Sequence, residues 1–218
     1  MIKFFQKLKA KKGFTLVELI VVIAIIGVLA AILIPTMLGY VTNSRVTSAD
    51  STAAGIEDTI DVFLTAADTA GYGALQSTSA VTKITGYANA SGWNVSVLNT
   101  SAFKASSTIS WSNSGSGSAN QTKSGVTNAS DLLAIEIANK FPDVSSGSFV
   151  AYVAAGDCAC VMWTADSSTP GDIDGTIGTN VNTTTGKWSS LVYTWDNTTA
   201  GVDSQGRIVG TSPKVNLG

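Results

Sequence analysis

The sequence predicts an α+β fold: one long N-terminal α-helix, apolar in its first half and amphipathic in its second, packed on a mainly antiparallel β-sheet head. Three observations predict it. No charged residue occurs from Leu19 to Ser44, and residues 20–34 are almost wholly aliphatic. A helical stripe then continues through Val46, Ala49, Ala53, Ile56, Ile60, Phe63 and Ala67, with Asp50, Glu57, Asp58 and Asp61 between its members. The remainder is rich in Ser, Thr, Gly and Asn, with short alternating runs bounded by turn residues.

At ~1.5 Å per residue the apolar run is long enough to cross the ~30 Å hydrocarbon core of a bilayer. Five lysines (Lys3, Lys7, Lys9, Lys11 and Lys12) and no acid precede Gly13. Such an excess holds its end of a membrane helix on the cytoplasmic side and sends the remainder outward. Glu18 is out of place in this setting. A carboxylate near the bilayer centre costs roughly 2.5–3.5 kcal/mol on insertion scales, and less near the edge, so an acid there marks a functional position. If the chain were cut after Gly13, Phe14 would present a new α-amine four residues before that acid. Two opposite charges in one apolar environment neutralise each other.

The octapeptide Lys12-Gly13-Phe14-Thr15-Leu16-Val17-Glu18-Leu19 resembles the processing site and helix start of type IV prepilins and pseudopilins. The likeness is dense from Lys11 to about Arg45, and beyond that it is architectural only. It implies that residues 1–13 are a leader removed after Gly13 by a prepilin peptidase, and that Phe14 is the N-methylated mature terminus. It also makes Glu18 the acid that sets subunit register and Pro35 the site of a helix kink. Residues 14–44 are then the membrane and filament-core helix, 45–73 its amphipathic continuation and 74–218 the head. The partners implied are identical or related pilin subunits, the peptidase, the membrane before assembly and the assembly machinery. The location implied is the cytoplasmic membrane first and an extracellular pilus afterwards. An ordinary secretory signal would need a shorter apolar core and a small-x-small site behind it, and the sequence at 34–38 reads poorly as one.

Composition excludes several functions. The chain has no histidine, so histidine triads, histidine metal sites and histidine general bases are absent. Loss of the leader lysines reduces thirteen basic side chains to eight against fifteen acids, near −7, which argues against nucleic-acid binding. Neither an enzyme nor a cofactor is expected.

In the head the sequence predicts strands over 80–84, 92–98 and 107–111, and a surface loop over 112–125. A short helix is predicted over 131–140 with Ser130 as its cap. A hairpin of 148–155 and 158–164 turns at Gly156-Asp157, and further strands lie at 188–195 and 207–210. Cys158 and Cys160 would share one face of an extended strand, as buried thiols or as a strained disulfide closing almost no loop. Asp172-Ile173-Asp174-Gly175 opens like a calcium loop but lacks the remaining ligands, so Asp172 and Asp174 are weak calcium candidates. Trp188, Trp163 and Trp111 are candidate solvent-facing aromatics for stacking on a polysaccharide, the alternative being core or subunit-contact residues. Pilus subunit is the leading reading. A pilin-borne adhesin and a type II secretion pseudopilin are its alternatives.

Overall fold

The computed structural model describes residues 13–70, 81–97, 110–154, 156–167, 201 and 206–212. It divides into two compact units, Met1–Asn43 and Ser44–Gly218. Helix α1 (Leu16–Thr69) contributes residues to both.

In the first unit α1 is helical through Pro35, whose ring removes one N–H from the helix ladder. The most apolar 18 residues of α1 have a mean hydropathy of 3.2 and none is buried. Ile20, Ile26, Leu33 and Met37 all stand in the open. An apolar surface of this extent has to be covered by lipid or by other chains.

In the second unit α1 buries Ala49, Ala53, Ile56, Ile60, Phe63, Leu64 and Ala67. That is the expected stripe less Val46, which is half-buried, and with Leu64 added. The stripe packs on a six-stranded antiparallel sheet of order β3-β2-β1-β4-β5-β6, where β1 is Thr82–Asn89, β2 Gly92–Val97, β3 Gly115–Gly117, β4 Gly147–Ala154, β5 Asp157–Thr164 and β6 Gly210–Ser212. Helix α2 (Ala129–Lys140) covers the β2–β3 end. One aromatic group knits the core: the Trp93 ring lies 6.1 Å from Phe149 and 5.6 Å from Trp163. Two approaches leave no room for a side chain. The Phe149 ring occupies the place of a Cβ at Gly86, and the Ala49 backbone occupies it at Gly210, so β6 meets α1 without a spacer.

Several local features differ from the sequence reading. β1 runs on through Gly86 to Asn89 and forms a hairpin with β2, where Asn89 Oδ1 accepts from Ser91 N at 2.8 Å. The stretch read as a loop contains β3. Of 107–111, only Ser110 and Trp111 are described, and Ser110 makes a single bridge to Asn128. Asn128, not Ser130, caps α2, its side chain accepting from Ser130 N, while Ser130 Oγ donates to Ser112 O at 2.8 Å. The final strand is displaced to Gly210–Ser212. The 188–195 strand and the helix end at 71–73 lie outside the described residues.

Candidate functional site: the start of the N-terminal helix

Thr15 and Glu18 form a closed pair at the beginning of α1. Thr15 N donates to Glu18 Oε2 at 2.9 Å and Thr15 Oγ1 donates to the same oxygen at 2.8 Å. In return Glu18 N donates to Thr15 Oγ1 at 3.2 Å. This is the reciprocal capping box that Thr-x-x-Glu produces at an N-terminus, in which side chains satisfy backbone donors that lack helical partners. The carboxylate also sits at the positive end of the helix dipole. Sequence reasoning had singled out Glu18 but missed Thr15. The spacing of the two was the available signal. Glu18 is therefore held in the first turn of the helix by the helix's own start, four residues after Phe14, which is itself 83 % exposed.

The arrangement defines a class: a chain whose long helix leaves its apolar first half uncovered, with the one acid of that half fixed at the N-terminal end. A family model described as the prokaryotic N-terminal methylation motif matches residues 8–34. Over 53 residues the chain is 47% identical to a fimbrial protein of Moraxella nonliquefaciens, a match covering 24% of this chain and 34% of the relative. It is 50% identical over 50 residues to a fimbrial protein of Pseudomonas aeruginosa (23% and 32% covered), and 44% identical over 57 residues to a type IV major alpha-pilin of Moraxella bovis (26% and 36% covered). The N-terminal segment thus carries the methylation motif and is similar to the N-terminal segments of type IV fimbrial proteins. The matches span about a third of the length of those relatives. No solved structure matches the chain significantly.

The aromatic candidates in the head fare differently. Trp163 is 3 % exposed and Trp111 7 %. Trp163 packs in the core beside Trp93, and Trp111 meets Phe63 edge-on at 5.7 Å. Neither can stack on a sugar, because burial in the core excludes any ligand from both faces of the ring. Trp188, Asp172 and Asp174 lie outside the described residues.

Cys158 and Cys160 are free thiols. The β4–β5 register shifts between Tyr152 and Val153, pairing them with Cys160 and Cys158, so Ala159 is the extra residue of a bulge. Cys158 consequently joins the cluster under α1, whereas Cys160 joins Val150, Tyr152 and Met162 on the opposite face. The expected common face is lost, and the disulfide with it. Burial pushes both thiols up, so they are poor nucleophiles.

Carboxylates of α1 hold the edge of the sheet. Asp50 Oδ1 accepts from Thr211 N at 3.0 Å, and Asp61 Oδ1 accepts from Cys158 N at 2.6 Å. Glu57 accepts from the Ser212 hydroxyl. Burial raises the Asp61 pKa above its ordinary value, the Cys158 N–H opposes that rise, and the nearby Asp157, Glu57 and Asp58 add to it.

Proposed function

We propose that this chain is a structural subunit of a type IV pilus, made as a membrane-anchored precursor and assembled into an extracellular helical filament through the first half of α1. The observation that carries the reading is an apolar helix with no buried residue over its most hydrophobic stretch, begun by a capping box that fixes one acid in place. The methylation motif and the fimbrial relatives support it. Lipid covers the helix before assembly and copies of the same helix cover it afterwards. Contacts between successive subunits are head-to-tail and do not close, so a fibre grows.

In detail, a prepilin peptidase cuts after Gly13 on the cytoplasmic side and the new Phe14 amine is methylated. Assembly machinery then lifts each subunit from the membrane. Glu18 of the incoming chain meets the Phe14 amine of its neighbour, which penalises any other register because a lone carboxylate in an apolar core is costly. Pro35, which cannot complete the helix ladder, is where α1 yields when the helices bundle. The role is structural, not catalytic.

N-terminal sequencing of the shed or sheared protein tests the processing, and should read Phe-Thr-Leu-Val-Glu. Any other start overturns it. For the register role, Glu18→Ala should leave cleavage intact and abolish or sharply reduce filaments seen by electron microscopy. Normal fibres from that variant would remove Glu18 from the assembly step.

A further inference from the structure

On the sheet face turned away from the Trp93 cluster, strands β1, β2 and β3 form the floor of a basin of about 770 Å³. This volume lies within the roughly 300–1,000 Å³ of small-ligand sites. The register builds the floor in rungs. Tyr87 pairs with Asn94, and Asn94 pairs with Ser116, so an aromatic ring, an amide and a hydroxyl stand side by side at the ~4.8 Å spacing of adjacent strands. Lys83 lies further along β1 and Asp131 rises at the β3 end, both lining the same basin. One Asp131 oxygen is engaged by Ser116 N at 2.7 Å. Among the described residues, neither the Tyr87 hydroxyl nor the Asn94 amide has a hydrogen-bond partner.

The chemistry of this lining selects a ligand class. One cation and one anion cancel, so neither a polyanion nor a polycation is favoured by charge. The only aliphatic residue among the described lining residues is Val95, whose side chain belongs to the core on the other face, so the buried apolar anchor of a protein interface is missing. An aromatic face beside amide, hydroxyl and carboxylate groups suits a molecule with C–H faces and many hydroxyls that both donate and accept.

We propose that the basin over Tyr87, Asn94 and Ser116 is a binding site for a neutral glycan, with Tyr87 as the stacking platform and Asn94 and Asp131 as the hydroxyl-reading groups. The site stands on the head alone and does not depend on filament assembly. It replaces Trp163 and Trp111, both in the core, as the route to polysaccharide binding.

The test is retention of the full chain, solubilised in detergent, on microcrystalline cellulose, chitin and amylose resin, with heparin-agarose as an anionic comparison. The expected result is salt-insensitive retention on at least one neutral matrix, released by the matching free oligosaccharide. Tyr87→Ala and Asn94→Ala should each weaken it by about tenfold, from loss of stacking or of a buried hydrogen bond. Tyr87→Phe should retain most of it, and the melting temperatures of all three variants should match the parent. No retention on any neutral matrix overturns the proposal. So does retention unaltered by Tyr87→Ala and Asn94→Ala, and so does salt-sensitive binding confined to heparin. Normal filaments in a strain whose subunit fails this test would leave the assembly reading untouched, so the two fail separately.

Discussion

Replacing Asp61 separates the charge of this side chain from its hydrogen bond. Its Oδ1 accepts from Cys158 N at 2.6 Å, and Cys158 is only 5 % exposed, so water cannot readily take over the bond. Asp61→Ala leaves a buried donor unpaired at a cost of about 1–3 kcal/mol. For a unit of this size a change of 1 kcal/mol moves the melting temperature by about 2–4 °C, which gives a fall of roughly 2–12 °C. Asp61→Asn keeps an oxygen in the same place and removes a carboxylate that is partly desolvated beside Asp157, Glu57 and Asp58. It should therefore match or exceed the parent at pH 7. The pH dependence gives a second check. The folded-state pKa is raised, so the contribution of Asp61 is fully favourable below its ordinary unfolded value and is lost as pH rises through the folded value. Across that window the parent should lose stability from this group, and Asp61→Asn should not. Thermal melts of the detergent-solubilised chain, followed by near-ultraviolet circular dichroism from pH 4 to 7, read both effects. Equal destabilisation by Asn and Ala, or an identical pH slope in parent and Asn variant, would refute the reasoning.

Three further outcomes are expected. Ile60→Ala, at a fully buried position, should cost about 2–5 kcal/mol in the same melts, whereas Val62→Ala, two residues along and 63 % exposed, should stay within about 0.5 kcal/mol. Gly210→Ala drives a Cβ into the Ala49 backbone and should destabilise by about 1–3 kcal/mol, lowering the urea midpoint, while Gly206→Ala meets no atom and tests only the cost of its positive φ. Thiol titration should find Cys158 and Cys160 both reduced and unreactive until the chain is denatured, with a melting temperature indifferent to reductant; a reductant-sensitive transition would contradict the separation of the two side chains by the bulge.

The legible parts of this fold were those written in residue type. A charge-free aliphatic run can only be a helix in lipid or among its own kind, and the three-four spacing of Ala49 to Ala67 named the packed face almost residue by residue. What depended on register was not legible. Cys158 and Cys160 read as neighbours on one face, and a single bulged Ala159 sent them to opposite faces. Trp163 could be read as facing in or out, because a strand's alternation fixes two faces without saying which meets the helix. β3 has no alternation to read. Gly115 and Gly117 fit because α2 backbone occupies the space of their missing side chains. At the candidate assembly site the acid stood out by its cost, while Thr15 passed unnoticed among ordinary polar residues although it holds that acid in place.

The acids of the two helices suggest why a head made mostly of sheet would tolerate close packing in the proposed filament. An exposed edge strand offers unpaired N–H groups to the next copy, and identical heads held close together meet the conditions for edge-to-edge pairing. Here three backbone donors at the ends of the sheet are already engaged. Asp131 of α2 takes Ser116 N on β3, Asp50 of α1 takes Thr211 N on β6, and Asp61 takes Cys158 N on β5 beyond the reach of β6. A carboxylate does this better than a neutral acceptor would, since a second strand would have to displace a charge-assisted bond and then lie beside the charge. The large apolar surface left open, among the described residues, is the first half of α1. In the proposed filament that division directs association to the helix, where Glu18 enforces register, and away from the sheet, where register would be free to slip.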